Sequence, residues 1–377
     1  MPRPPSPATG VRTGDLPTTR RDVLGGLAAA PVLGLALSFP ALIPSPARAD
    51  GSGPFESFKP GIREITGKFT VYDIPTSYAT PHCLAPDGRG GIWFVEIGAN
   101  RIGKLDKASG RMKEWVIPTP AAHPHGITVD KDGFVWFSEA NQDKIGRFDP
   151  RTETFKEYPV PPGGKRQGAR NGVGRIHTPM MGKDGNLYCT NEWLSTIVQL
   201  DPKTGATKEY QARFAGKRGS RPYGLQVDFD GNMWFAAVGS EYIGMIDIKA
   251  ETVTEYPTPT KKSGPRRLCV DPEGKIWFTE WNTHKIGYIV PRTKEMKEFD
   301  LPAAPRAGAY AVTSNGAGTI FAGEFIANQV TKFEPKTGKF TEYPMPLRRS
   351  RVRQIVCCEE GYVWYADNGN SKIVRLS

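Results

Sequence analysis

PHGITVDKDGFVWFSEANQDKIGRFDP, residues 124–150, is the clearest copy of a unit that recurs along this chain of 377 residues. Within it, residues 127–130 and 134–138 are short runs rich in β-branched and aromatic side chains. Lys131, Asp132 and Gly133 between them are turn chemistry, so the pair reads as a hairpin. A polar loop over 140–144 leads to a third run at 145–148, an Asp-Pro turn follows, and 155–160 supplies a fourth run. The unit is a four-stranded meander.

Outward from Trp136, equivalent aromatic positions fall at Trp93, Tyr188, Trp234, Trp277, Phe321 and Trp364, at spacings between 43 and 52 residues. Self-similarity at that period marks a propeller or solenoid, and seven copies can close a ring. The last copy stops at 372–376, its third strand, and lacks the run that the copy before it writes as KFTEYPMP, 339–346. A matching run, KFTVYDIP, stands at 68–75, ahead of the first complete unit. The expected fold is all-β: a seven-bladed β-propeller of four-stranded blades over 68–377, its ring closed by the N-terminal strand so that no edge stays open.

The first 49 residues lie outside that pattern. Thr19-Arg20-Arg21-Asp22-Val23-Leu24 precedes an apolar run over 24–43, and Ala47-Arg48-Ala49 has the small-x-small form of a cleavage site. Residues 1–49 are read as a twin-arginine-type signal peptide, which implies a periplasmic or secreted protein with no membrane span after its removal. Residues 50–67, with Gly, Pro and Ser and no periodicity, are read as a linker.

The net charge of +11 is moderate, yet its distribution is uneven. Lys165, Arg166, Arg170 and Arg175 lie in one connection between units, and Lys217, Arg218 and Arg221 in the next. Lys261, Lys262, Arg266 and Arg267 fill a third, and Arg348, Arg349, Arg351 and Arg353 a fourth. The first of these holds an insertion, PPGGKRQGARNGVGR at 161–175, and long loops of this kind are more often functional than structural. A ring gathers such connections on one face, and concentrated like charge points to a partner of opposite sign. The expected partner is an anionic small molecule or an acidic protein, with the chain acting as a monomer. Nucleic acid is set aside because aromatic residues are not interleaved with these loops and the chain is read as exported.

Two positions of the unit should face a common mouth, because the connection into a blade's first strand and the loop from its second to its third strand emerge on one side. The first position, eleven residues before the aromatic mark, holds His82, His125, His177, Tyr223, Arg266, Tyr310 and Arg353. The second, three residues after it, holds Glu96, Glu139, Asn191, Ala237, Glu280, Glu324 and Asp367. Three of the five histidines in the chain share the first position, and His123 lies two residues before it. Neutral imidazoles on adjacent inner strands can act as base or metal ligand near neutral pH. A glutamate common to most copies can equally bond a loop of its own blade.

The five cysteines, Cys83, Cys189, Cys269, Cys357 and Cys358, show no C-x-x-C spacing, and four fall in or beside inner strands as small buried hydrophobes. A nucleophile elbow, H-E-x-x-H and a phosphate-binding loop are all missing from the sequence. What remains is general acid–base chemistry, with or without a metal, or binding alone.

The repeat at 124–150, written again as GKIWFTEWNTHKIG at 274–287, resembles the virginiamycin B lyase, or streptogramin lyase, family over about residues 69–377. The resemblance implies a seven-bladed propeller whose activity, a form of antibiotic resistance, linearises a cyclic depsipeptide by elimination at an ester, with Mg²⁺ and without adding water. It implies catalytic histidines on two consecutive blades that begin Pro-His, here His82 and His125, and a glutamate after the second Trp-Phe, here Glu139. The family's other glutamate, two residues before the second histidine, is His123 in this chain. On that template Glu139 and His123 hold a metal that polarises a carbonyl, His125 takes the adjacent proton, and His82 protonates the leaving oxygen. His177, Tyr223, Arg266, Tyr310 and Arg353 would line the substrate, with Arg266 or Arg353 holding a carboxylate. Two other readings stay open: a non-catalytic propeller binding an anionic ligand, and a copper or zinc site made by His82, His125 and His177.

Overall fold

The computed structural model describes residues 69–161, 170, 173–212 and 219–377, with the backbone of 62–65. The signal peptide at 1–49, most of the linker and most of the 161–175 insertion lie outside the described residues.

Each unit folds as a four-stranded antiparallel sheet. In the second blade Pro124–Val129, Val135–Glu139, Lys144–Asp149 and Thr154–Pro159 pair in that order. The first strands of the other blades are Pro81–Pro86, Ile176–Met181, Pro222–Val227, Pro265–Val270, Ala309–Ser314 and Ile355–Cys357. Each packs beside the next, so the seven together line the axis of a ring.

Two devices written in the repeat fix each blade. Asp130 Oδ1 accepts from the amides of Asp132 at 3.0 Å and Phe134 at 2.9 Å, while its Oδ2 accepts from Trp136 Nε1 at 2.8 Å. One carboxylate thereby satisfies both the turn and a fully buried indole. Asp228 with Trp234 and Asp271 with Trp277 repeat the bond at 2.8 Å. The second device joins Trp-Phe to Lys-Ile-Gly. The Phe137 ring lies on Gly146, where an added Cβ would sit 2.2 Å from Phe137 Cζ. Motifs eight residues apart in sequence are one packing unit.

The blades pack face to face through these residues. Trp93, Val95, Ile102, Ile127, Val135, Phe137 and Phe148 form one buried cluster across the first two blades. Closure follows the expectation: Phe69–Asp73 pairs with Lys372–Leu376, from Phe69 opposite Leu376 to Asp73 opposite Lys372. One feature of the 50–67 segment differs from a plain linker, because Ile62–Ile65 adds a fifth strand outside Phe69–Asp73. Its four residues are too few to show a period of two, so the strand leaves little mark in the sequence. All five cysteines are free. Among the described residues no helix is long and apolar enough to cross a membrane.

Candidate functional site

Every inner strand is entered at the mouth through a residue with positive φ. These are Thr80 (49°)... Arg351 (52°) at the two ends of the series, with His123 (56°), Arg175 (66°), Arg221 (52°), Gly264 (63°) and Gly308 (60°) between them. In the first six blades the carbonyl of this residue accepts from the amide that leaves the second strand of the same blade. The bonds are 3.3 Å from Ala140 to His123, 3.0 Å from Glu192 to Arg175, 3.2 Å from Trp281 to Gly264 and 3.0 Å from Phe325 to Gly308. In the first six blades a one-residue bulge follows. Such a bulge re-aims the side chain within it, here the ring-forming position.

That position does not lie wholly in the mouth. The rings of His82 and His125 are 3.7 Å apart between centroids, those of His125 and His177 3.8 Å, and those of His177 and Tyr223 3.8 Å. Tyr223 and Tyr310 share a hydrogen bond between their hydroxyls. The row is closed: His82 and His125 are 1% exposed and His177 0%, whereas Arg266 and Arg353 are half-buried. Hydroxyls on second strands hold the row in place. Ser138 donates to the His177 carbonyl at 2.7 Å, Thr190 to that of Tyr223 at 2.9 Å and Thr279 to that of Tyr310 at 2.9 Å. Burial, helped by Arg353 and Arg267 at His82, by the other two imidazoles at His125 and by Arg267 at His177, holds all three rings far below the ordinary histidine pKa. They are neutral, and His82 Nε2, His125 Nδ1 and His177 Nε2 have no hydrogen-bond partner.

The acidic position is buried as well, Glu139 included. Each of these carboxyls stands against a second glutamate on the fourth strand of its own blade. The pairs are Glu96 with Glu114, Glu139 with Glu157, Glu280 with Glu298, and Glu324 with Glu342. Burial and the adjacent carboxyl push Glu96 up to about 9, Glu139 to about 7 and Glu280 to about 8.

What the mouth does carry is arginine against aromatic rings. The Arg266 guanidinium lies 4.4 Å from the Trp281 ring centroid and 4.6 Å from that of Tyr310. Arg353 lies 5.5 Å from Phe325 and 6.0 Å from the same Tyr310. Trp281, Tyr310 and Phe325 contact one another at 5.6 to 5.7 Å, so two guanidiniums flank one aromatic wall. Neither arginine has an acidic partner among the described residues, and the Nε of each is buried without a hydrogen bond. Across the mouth Arg170 and Arg175 stack on Trp193, and Glu192 pairs with Arg175 at 3.3 Å and with Arg221. Aromatic and basic residues are therefore interleaved in space, contrary to their separation in sequence, because they come from different loops of each blade. His123 is half-buried, 6.4 Å from His125 between centroids, and burial with Arg175 and Arg353 nearby lowers its pKa.

Arg267 departs from its basic neighbours. It is 4% exposed and crosses the axis, donating to Arg353 O at 3.2 Å, Thr178 Oγ1 at 3.0 Å and Cys83 Sγ at 3.4 Å.

The model of the virginiamycin B lyase family matches residues 61–167 and 169–377. The chain belongs to the virginiamycin B lyase family. A solved streptogramin B lyase is 28% identical, with a TM-score of 0.74 over 84% of this chain and 99% of its own. Virginiamycin B lyase from Staphylococcus aureus is 26% identical, with a TM-score of 0.74 over 82% of this chain and 99% of its own. A catalytically inactive variant of that lyase, solved with quinupristin, is 25% identical, with a TM-score of 0.73 over the same shares. A Kuenenia stuttgartiensis hydrazine synthase, 14% identical at a TM-score of 0.64, shares the fold alone. No curated protein matches the chain.

Within the virginiamycin B lyase family the implied Mg²⁺ does not fit the donors of this chain. Mg²⁺ takes oxygen ligands in a near-octahedral shell. Glu139 is turned toward Glu157 and Lys144, His123 offers nitrogen among arginines, and the Glu192 carboxylate is already engaged by Arg175 and Arg221. Trp281, Phe325 and Glu192 escaped the reading of the repeat, although one signal was available. They follow the acidic position by one residue, where the chain leaves the second strand and bonds back to the mouth.

Proposed function

We propose that this member of the virginiamycin B lyase family is a carbon–oxygen lyase that opens an ester or lactone ring of an anionic substrate by elimination at the mouth. The observation that carries this reading is the pair Arg266 and Arg353, seated on one aromatic wall without acidic partners among the described residues. Buried-edge guanidiniums without counter-charge favour a ligand that brings one, and the bidentate fork suits a carboxylate.

His123 is the base in this reading. It reaches the mouth, and its lowered pKa keeps it neutral and able to accept a proton. It takes the proton from the carbon beside a carbonyl. The electrons of that C–H bond become a C=C bond, the bond from the next carbon to the ester oxygen breaks, and the pair leaves on a carboxylate. No water enters. Arg266 and Arg353 hold the carboxylate that the substrate already carries, which positions the reacting carbon at His123. The buried row of His82, His125 and His177 forms the floor. A twin-arginine signal, if cleaved after Ala49, would place this chemistry outside the cytoplasm.

The test uses cyclic depsipeptides and lactones that carry a free carboxylate, with mass detection. Elimination leaves the mass unchanged, whereas hydrolysis adds one water. His123→Gly is the informative variant, because the fifth and sixth blades place Gly264 and Gly308 at the equivalent positive-φ position. It should fold as well as the parent and lose turnover by roughly 10²-fold or more. Unaltered turnover in that variant, or a product heavier by one water, defeats the reading.

A further inference from the structure

Beneath the mouth, His82, Cys83 and His125 each bring one donor atom to within 4.8 Å of the others, and all three side chains are buried. His82 Nδ1 stands 3.2 Å from Cys83 Sγ. Nε2 of His82 and Nδ1 of His125 are buried without a partner, although polar atoms inside proteins are rarely left so. Arg267, 4% exposed and without an acidic partner among the described residues, donates to the same sulfur at 3.4 Å. A buried guanidinium calls for a counter-charge, and Cys83 Sγ is the atom beside it that a bound metal would convert to an anion.

We propose that His82, Cys83 and His125 bind one monovalent copper ion on the propeller axis. Thiolate and imidazole are soft to borderline donors and select copper or zinc over magnesium. Number and charge then separate those two. Structural zinc takes four ligands in a tetrahedron, whereas three donors suffice for Cu(I). A Cu(I)–thiolate pair is neutral beside Arg267, while a dication would leave a second buried positive charge there. Binding moves the thiol proton to solvent and changes no oxidation state. The route in is an axial cavity of about 230 Å³ lined by all seven inner strands, with Cys83, Thr178 and Arg267 on its wall. The site lies within the buried floor of the mouth, and its three ligands take no part in the proposed elimination.

Reduced protein is titrated with Cu(I) against a chromogenic chelator, and the loaded form is read by X-ray absorption. The expected result is an equivalent with a mixed nitrogen and sulfur shell, lost in Cys83→Ser and again in His82→Asn, with circular dichroism unchanged. Cys357 and Cys358 are adjacent thiols that could take copper through sulfur alone, so the deciding count is the equivalent that disappears. Equal copper content in both variants and the parent overturns the proposal, as does an all-sulfur shell in the parent. Tighter binding of Zn(II) than of Cu(I) at this site also overturns it. Should Cys83→Ser fail to fold, the shell of the parent and the count in His82→Asn decide.

Discussion

Arg266 separates charge from shape at the level of one residue. Its guanidinium both stacks on Trp281 and Tyr310 and offers a planar fork, neither of which lysine reproduces. Arg266→Gln should lower kcat/KM for the carboxylate-bearing substrate by about 10²-fold, with Arg266→Lys between it and the parent. Steady-state kinetics on both variants checks the order. The buried glutamates give a prediction in pH. Glu96, Glu139 and Glu280 hold their protons in the fold up to about 9, 7 and 8, whereas the unfolded chain releases them near the ordinary value of 4.5. Between those limits the native state binds more protons, so the stability linked to these groups is present below about 4.5 and lost as pH rises through 7 to 9. The melting temperature should fall from pH 6 to pH 9. Glu96→Gln should flatten that slope and raise the melting point at pH 9 by about 2–4 °C. A slope identical to that of the parent would show that Glu96 ionises normally.

At the scale of the blade, the interlock of Phe137 with Gly146 makes a prediction about coupling. Gly146→Ala places a methyl against the ring and should destabilise by about 1–3 kcal/mol. Phe137→Leu alone should also destabilise, through lost packing, but the pair should cost less than the sum, because the smaller side chain makes room for the methyl. Denaturant melts of the four proteins in this cycle measure the interaction. Additive losses would mean that ring and glycine are not in contact. The same interlock recurs at Gly103 with Phe94 and Gly244 with Phe235, so this part of the repeat is a packing device.

For the whole molecule, the decisive contact is the one that shuts the ring. Removing residues 1–67 takes away Ile62–Ile65 and leaves Phe69–Asp73 on Lys372–Leu376, which restores the four-stranded form of the other blades. That truncation should stay soluble and melt cooperatively. Removing residues 1–75 strips Phe69–Asp73, exposes the edge of Lys372–Leu376 and uncovers Phe69 and Val71 contacts in the last blade's core. It should aggregate. Size-exclusion chromatography compares the two, and equal solubility would mean that closure contributes little.

The sequence by itself determined the number of blades, the strand order and the closing strand. Trp136 and its equivalents, the Asp130 turn and the run at 68–75 are local signals that repeat at a fixed spacing, and periodicity survives without knowledge of contacts. It also placed Arg175, Arg221, Arg266 and Arg353 on one face, since that follows from their position between blades. Only the tertiary structure decided what surrounds them. Trp281 and Phe325 come from second-to-third-strand loops and meet Arg266 and Arg353 once the ring has formed. Arg267 reaches Cys83 across 184 residues of sequence, and the pairing of Glu139 with Glu157 depends on which neighbour each strand face meets. Charge and repeat are properties of the chain, whereas burial and partnership are properties of distances between blades, and those exist only after the propeller closes.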